Sequence, residues 1–291
     1  NFFGMNDVEE NAYSMNSIND AILLRNRIID LLEQAENETD PVLRKSLLRI
    51  VVVGGGFAGV ETAGELNDFI NDVAEYYPNI DSSDVTVTLI DSSSEILSGF
   101  PQHLAVFAKE KLIERGISLV LDAGVTSFDG NEVLLESKLK SNKVFSNDSS
   151  QKAGHTQLTE IQSILTHTLI WTAGITPVDL IKNSAFETIK GRIVVNEFLQ
   201  SKEFSDVFAI GDCSLFDPSL SMKKFPQTAQ IAEAHAKTAA SNIRQFLNRK
   251  TLSKFDYVWK GQSAIIGKNT GIASFFGINI ESYPKPFCPF R

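Results

Sequence analysis

Cysteine is nearly absent from this chain. Two residues, Cys213 and Cys288, among 291 cannot build a disulfide framework, a Cys-x-x-Cys redox pair or a multi-thiolate metal site. The four histidines, His103, His155, His167 and His235, show no metal-ligand spacing, so no metal is expected. No stretch reaches the roughly 20 apolar residues of a membrane-crossing helix. Basic charge is scarce too. Lys and Arg number 27 against 36 Asp and Glu, a net charge of −9, and such a balance argues against a nucleic-acid partner. No Gly-x-Ser-x-Gly elbow supports serine hydrolase chemistry. The first residues, Asn1-Phe2-Phe3-Gly4, are neither a start Met nor a signal peptide. The expectation is a cytoplasmic protein whose sequence is part of a longer one.

What is present is a globular composition, 43% hydrophobic and 22% charged, at a length suited to about two domains. Residues 16–35 carry apolar side chains at helical spacing, and Asp40-Pro41 ends the polar break that follows. Residues 47–53 form a mainly apolar run rich in β-branched residues, as in a parallel strand buried on both faces. A glycine cluster and a helix follow, with Val60, Ala63, Ile70 and Ala74 facing inward. Then come a strand at 85–90 ending in Asp91, a helix at 101–115 capped by Gly116, and a strand at 117–121. Strand, helix, strand, helix, strand is the mononucleotide-binding half of a doubly wound α/β sheet. Asp129-Gly130 predicts a hairpin turn, and the Ser-, Asn- and Lys-rich stretch 137–160 a solvated insertion. Short strands are expected at 165–171, 193–195 and 207–210, a long Ala-rich helix at 226–248, and strands and turns from 255 onward.

Gly54, Gly56 and Gly59 fit G-x-G-x-x-G between an apolar strand and a helix, the context that gives this short motif meaning. The first glycine permits a tight turn, the second lets the backbone approach a pyrophosphate, and the third lets helix and strand pack closely. The helix N-terminus then offers N–H groups and partial positive charge to the phosphates. Asp91 stands where such folds place an acid on the adenosine ribose. With Ser92, Ser93 and Ser94 after it and no Arg, it favours NAD over NADP; the plain alternative is a solvated strand-end Asp. Glu61, two residues past Gly59, reads either as an acid favoured by the helix macrodipole or as a functional group. The run 207–210 leads into Gly211-Asp212, an acid at a strand end that can bind a ligand hydroxyl. Cys213 beside it reads as a small buried residue.

Together these motifs resemble the type II, non-proton-pumping NADH dehydrogenases of the FAD-dependent pyridine nucleotide-disulfide oxidoreductase superfamily. The similar segments are Asn1-Phe2-Phe3-Gly4, Glu10-Asn11-Ala12, Val51 through Glu61, Ile170-Trp171-Thr172-Ala173-Gly174-Ile175-Thr176-Pro177, Ala209-Ile210-Gly211-Asp212, Pro226-Gln227-Thr228-Ala229-Gln230-Ile231-Ala232, and the stretch 261–267 with Lys268. The resemblance implies two Rossmann-like domains: a NAD domain at 48–176 inserted into a FAD domain made of 1–47 and 177–291. It implies FAD and NAD as cofactors, with NADH delivering hydride to flavin and electrons passing to a quinone. Glu61 would lie beside the nicotinamide, Gly174 would line the cleft, Gly211 and Asp212 would hold FAD, and Gln230 would border the quinone channel, making Glu61 and Gln230 the catalytic candidates. It also implies peripheral association with the cytoplasmic face of a membrane and allows a homodimer. Disulfide reductase chemistry is excluded for want of a cysteine pair.

Three departures shape the expectations. Only one glycine-rich turn exists, in the NAD position, and residues 1–47 contain only Gly4, so FAD is expected to be held poorly. Ala234 and His235 stand where the family continues its quinone-side helix with glutamines. The stretch after Ile280 cannot form the family's amphipathic anchor. Two rival readings follow: a soluble NADH-dependent flavoprotein reductase with another acceptor, and a flavin-free NAD-binding module.

Overall fold

Helix α1 (Asn6–Asn11) and the two-residue strand β1 (Tyr13–Ser14) lead into α2 (Ile18–Asn37). The start of α2 is set by a capping box. Ser17 accepts from the Asp20 N–H, and the Asp20 carboxylate accepts from the Ser17 N–H, so two orphan donors are satisfied at once. Leu24, Ile28, Leu31, Leu32 and Ala35 form the buried stripe. Helix α3 (Pro41–Leu47) occupies the segment whose Asp-Pro pair reads as a break in sequence. Asp40 caps it by accepting from the Val42 and Leu43 N–H groups, and Pro41, which has no N–H to lose, sits in the first turn.

The computed structural model describes residues 2–138, 159–174, 179–216 and 227–281. Most of the 137–160 insertion, residues 175–177 of the Trp-Thr-Ala-Gly stretch, Pro226 and the tail after Glu281 lie outside the described residues. The chain divides into two units, one of Asn1–Gly174 with the segment from Lys260 onward, the other of Ile175–Trp259.

In the first unit β2 (Arg49–Val53), α4 (Phe57–Ala74), β3 (Thr86–Ile90), α5 (Gln102–Glu114) and β4 (Ser118–Val120) alternate as their periodicity predicts. Gly116, at φ +86°, follows the last turn of α5 in the left-handed conformation expected of it. β5 (Ala123–Phe128), β6 (Glu132–Lys138) and β7 (Thr159–Leu165) form an antiparallel meander. The turn between β5 and β6 is held by the Asp129 carboxylate, which accepts from Asn131 and Glu132 N–H. β8 (Thr168–Trp171) returns to the main sheet, whose order is β1-β8-β2-β3-β4, all parallel. The burial of β2, β3 and β8 at nearly every position explains why they are largely apolar on both faces.

The second unit contains α6 (Asp179–Lys182), β9 (Thr188–Ile189), β10 (Arg192–Val195), β11 (Ser214–Phe216) and α7 (Ala229–Leu247). The strand expected at 207–210 is not formed. That run makes an isolated bridge, Gln200 to Phe208, and β10 pairs with β9 on one side and, on the other, with β11, beyond the Gly211-Asp212 turn. Apolar content marked the segment for burial, as at Ala209, but a strand needs a neighbour along its length.

From Lys260 the chain rejoins the first unit as the antiparallel sheet β12 (Gly261–Gly267), β13 (Thr270–Phe275) and β14 (Ile278–Glu281). Ala264, Ile266 and Ile272 enter the same core as Val60, Ala63, Leu66 and Ile70 of α4, and as the α2 stripe. The contact division therefore groups both 1–47 and the chain beyond Trp259 with the parallel sheet, where the sequence reading grouped them with 177–259. The reason is visible in the packing: α2 and β12 bury their apolar residues in this core. Close approach is permitted by Gly64, where an added Cβ would lie 2.6 Å from the Ile266 carbonyl carbon and oxygen.

Candidate dinucleotide site

The parallel sheet reverses its winding at β2, which is flanked by β3 on one side and β8 on the other. A crevice outside the carboxyl ends of the strands at such a point is where doubly wound sheets bind ligands. The glycine-rich turn lies there, and each glycine has a separate cause. Gly54 takes φ +115°, and a Cβ on it would meet Thr172 Oγ1 at 2.7 Å. A Cβ on Gly59 would overlap the Gly54 carbonyl oxygen, so only glycine lets α4 start this close to β2. A Cβ on Gly56 would meet nothing within 4 Å. That open side is where the backbone can approach a pyrophosphate. Gly56 is also the N-cap of α4; it offers no side-chain cap, and the first turn carries no acid. The helix thus presents unsatisfied N–H groups and its positive pole to an anion.

Asp91 ends beside this turn. One carboxylate oxygen accepts from the Gly55 N–H at 2.5 Å and the other from the Ser93 N–H at 2.7 Å. A carboxylate has four acceptor positions, so hydroxyl donors can still be taken. The Gly55 carbonyl accepts from the Leu97 N–H at 2.7 Å, and Phe57 stacks on Phe100 at 5.2 Å. The segment after Asp91 is thereby strapped to the glycine turn. Sequence reasoning missed this strap, and Leu97, at φ +51°, gave no signal of its unusual backbone. It also missed Thr172, whose hydroxyl and N–H both donate to the Val53 carbonyl, at 2.7 and 2.9 Å, locking β8 to β2 below the turn. Gly174, exposed at φ +74°, follows at the carboxyl end of β8.

Glu61 does not sit in the first turn of α4, whose first residue is Phe57, so its helix-dipole role falls away. It is half-buried, and its carboxylate accepts from the Ile265 N–H of β12 at 3.1 Å. Burial raises its pKa above the ordinary glutamate value; the Ile265 hydrogen bond opposes that shift, and the nearby Glu65 adds to it. Further along the helix, Asp68 accepts from the Lys268 N–H and pairs with Arg115, and Asp72 pairs with the Lys268 ammonium at 2.9 Å.

In the second unit Gly211 and Asp212 begin a 3-10 turn spanning Gly211–Cys213. Gly211 has φ +64°, its N–H donates to His235 Nδ1 at 3.1 Å, and Asp212 is exposed. Cys213 is half-exposed, with its thiol directed at the Ile210 carbonyl. Gln230 lies in the first turn of α7, its amide oxygen accepting from the Tyr257 hydroxyl at 2.9 Å. Thr228 caps that helix by accepting from the Ile231 N–H. An exposed acid on a tight turn can accept hydroxyl donors, and a helix N-terminus without acids can face an anion. The site residues of the sequence reading therefore form two groups: Gly54, Gly56, Gly59, Glu61, Asp91 and Gly174 in the first unit, and Gly211, Asp212 and Gln230 in the second. Among the described residues no group of three or more His, Cys, Asp or Glu could hold a metal ion, and no helix is long and apolar enough to cross a membrane.

Residues 9–236 match the pattern of the family described as pyridine nucleotide-disulphide oxidoreductase. Among curated proteins, the chain is similar to a type II NADH:quinone oxidoreductase of Staphylococcus epidermidis, with 29% identity over 98% of this chain and 65% of the relative. It is also similar to a probable NADH dehydrogenase of Dictyostelium discoideum, with 30% identity over 96% of this chain and 57% of the relative. The chain thus spans less than two thirds of the length of these relatives. Among solved structures, NDH2 from Plasmodium falciparum in complex with NADH superposes with a TM-score of 0.83 at 22% identity, over 97% of this chain and 68% of that one. This likeness shows a shared fold.

Proposed function

The chain belongs to the pyridine nucleotide-disulphide oxidoreductase family, and from that premise we propose that it serves an NADH:quinone oxidoreductase of the type II class. The observation that carries the reading is the glycine turn: an uncapped, acid-free helix N-terminus opened by Gly56 at the winding reversal of a parallel sheet. The names of the similar proteins support the direction of the reaction and its acceptor. FAD, when bound, supplies the carrier that takes two electrons from NADH and passes them on.

In this reading the protein's own work is binding and orientation. The α4 amides hold the NADH pyrophosphate, and Asp91 takes the adenosine ribose and disfavours a 2′-phosphate by charge. Glu61 stands beside the nicotinamide, and Gly174 lines the cleft. Asp212 accepts from the ribityl hydroxyls of FAD, and Gln230 borders the acceptor. Quinones partition into membranes, so the same reading places the protein at a membrane surface; homodimer formation belongs to it as well. The domain assignment follows the functional groups: 48–176 for NAD, with 1–47 and 177–291 contributing to FAD.

The test is NADH oxidation by the chain, with added FAD and a short-chain quinone. Oxidation that requires both supports the proposal, and failure to bind NADH overturns it. A second reading, with another acceptor, is favoured by Ala234, which cannot offer the amide that the resembled family has there. NADH oxidation with a one-electron dye but with no quinone would select that reading. NADH binding with neither acceptor reduced would select a flavin-free module.

A further inference from the structure

His235 stands where the resembled family continues its quinone-side helix with glutamines, and the structure buries it. It is 3% exposed and enclosed by two rings, Phe255 with centroids 4.5 Å away at 76° and Phe216 at 5.7 Å. Its Nδ1 accepts the Gly211 N–H at 3.1 Å, across 24 residues of sequence. An acceptor Nδ1 carries no proton, so the proton of the neutral ring sits on Nε2. Nε2 is buried and, among the described residues, has no hydrogen-bond partner. An apolar residue would fill the same space without stranding an N–H, so packing alone does not account for an imidazole here.

What the imidazole adds is one acceptor aimed at one amide. Gly211 opens the turn that carries Asp212, and it does so at φ +64°, where an added Cβ would lie 3.3 Å from the Ala232 Cβ of α7. The turn is otherwise tied by Ser214 Oγ donating to the Gly211 carbonyl at 2.8 Å and Gln227 Nε2 donating to the Asp212 carbonyl at 3.2 Å. Both of those bonds hold carbonyl oxygens, whereas the Gly211 N–H rests on His235.

We propose that His235 is a positioning residue for the Gly211–Cys213 turn: its Nδ1 fixes the Gly211 N–H, and through it the place of the Asp212 carboxylate that receives the polyol chain of the flavin. On this view position 235 requires a buried hydrogen-bond acceptor and does not select the electron acceptor. A glutamine, whose amide oxygen can take the same N–H, is then a functional equivalent.

The flavin arm of this inference rests on the proposed function; the turn itself does not. In the unmutated chain, nitrogen NMR of imidazole-labelled protein should show the Nε2–H tautomer, and an Nδ1–H tautomer would overturn the proposal. His235→Leu should speed amide hydrogen exchange at Gly211 about tenfold, beyond what any change in the global urea midpoint accounts for, while His235→Gln leaves exchange within about twofold. FAD titration should show affinity reduced several-fold in His235→Leu and restored in His235→Gln, with NADH affinity unchanged in both. Should His235→Gln behave as His235→Leu, the ring acts by packing and the positioning role is refuted. Should the unmutated chain bind no FAD, the flavin reading fails while exchange and tautomer still decide the turn.

Discussion

Two glycines three residues apart in one motif, Gly56 and Gly59, separate folding from binding, and alanine tells them apart. Gly56 has φ −77° and ψ −169°, a conformation open to any residue, and its added Cβ would touch nothing within 4 Å. Two small effects on stability oppose each other. Alanine is a poorer N-cap than glycine by about 0.5–1 kcal/mol, while the loss of unfolded-state freedom stabilises by about 0.4–1 kcal/mol. The urea midpoint of Gly56→Ala should therefore barely move. The methyl group, however, would stand where a pyrophosphate approaches the α4 amides. Loss of one charge-assisted hydrogen bond costs about 1.5–3 kcal/mol, or about 10–100-fold in NADH affinity.

Gly59→Ala should do the reverse. Its Cβ would overlap the Gly54 carbonyl oxygen and approach Thr172 Oγ1 at 2.8 Å, and a Cβ has no rotamer with which to escape. Helix and turn must separate, at the upper end of the roughly 1–3 kcal/mol typical of overpacking or beyond it. Urea unfolding and NADH fluorescence titration on the two variants measure both quantities. An NADH affinity of Gly56→Ala within about twofold of the unmutated chain would refute the placement of the pyrophosphate, and an unshifted midpoint for Gly59→Ala would refute the packing argument.

Three further outcomes follow from the charged groups. The unmutated chain should bind NADH more tightly than NADPH, and Asp91→Ala should weaken NADH by about 1.5–3 kcal/mol, since the ribose contact and the Gly55 anchor go together; equal affinity for the two nucleotides in the unmutated chain would remove Asp91 from the ribose. Glu61→Gln keeps an acceptor for the Ile265 N–H but removes a buried charge. Because the folded-state pKa is raised, the stability tied to the protonated form is present below the ordinary glutamate pKa and lost as pH rises through the raised one. The variant should thus be at least as stable at pH 7, while turnover with NADH slows; a lower urea midpoint with unchanged turnover would make Glu61 a clamp on β12 alone. Burial pulls His235 from 6.5 down to about 4, so the unfolded chain takes up its proton first as pH falls. Stability should decline by about 3 kcal/mol between pH 6.5 and 4, at 1.36 kcal/mol per pH unit; urea unfolding across that range should show a flatter profile in His235→Gln, and parallel profiles would contradict it.

The parallel sheet was legible because its causes are local. A β-branched run, three glycines at fixed spacing and a glycine after the last turn of α5 each announce themselves within a few residues. The Asp40-Pro41 pair shows the limit of such signals, since the same two residues serve a break and a helix start, and only the helix that follows decides. The 207–210 run failed for a different reason: it has the composition of a strand, but its pairing stops at one antiparallel bridge to Gln200. The partner of Glu61 is 204 residues away at Ile265, and that of His235 is 24 residues away at Gly211. Neither distance leaves a periodic trace, so the residue types could be nominated from sequence while their contacts could not.

A helix proposed to meet phosphates, as α4 is, faces conflicting demands, and the arrangement of its acids resolves them. Its N-terminus has to stay free of carboxylates and side-chain caps, because either would occupy the amides that an anion needs. Those are the usual means of anchoring a helix start, so α4 is anchored elsewhere. Glu61, Asp68 and Asp72 are spaced by seven and four residues and therefore share one face. That face grips β12 and the turn after it, through the Ile265 and Lys268 amides, with Gly64 allowing contact at the backbone. The exposed Lys268–Asp72 pair is screened by solvent and adds little, so the grip rests on the backbone hydrogen bonds, the more buried Asp68–Arg115 pair and the apolar seam of Ala264, Ile266 and Ile272. The acids begin at Glu61, beyond the first turn, close enough to fix the helix direction and far enough to leave its positive pole unopposed. An acid moved into the first turn, at Ala58, would compete directly with a pyrophosphate, and the sheet β12–β14 is what makes such an acid unnecessary.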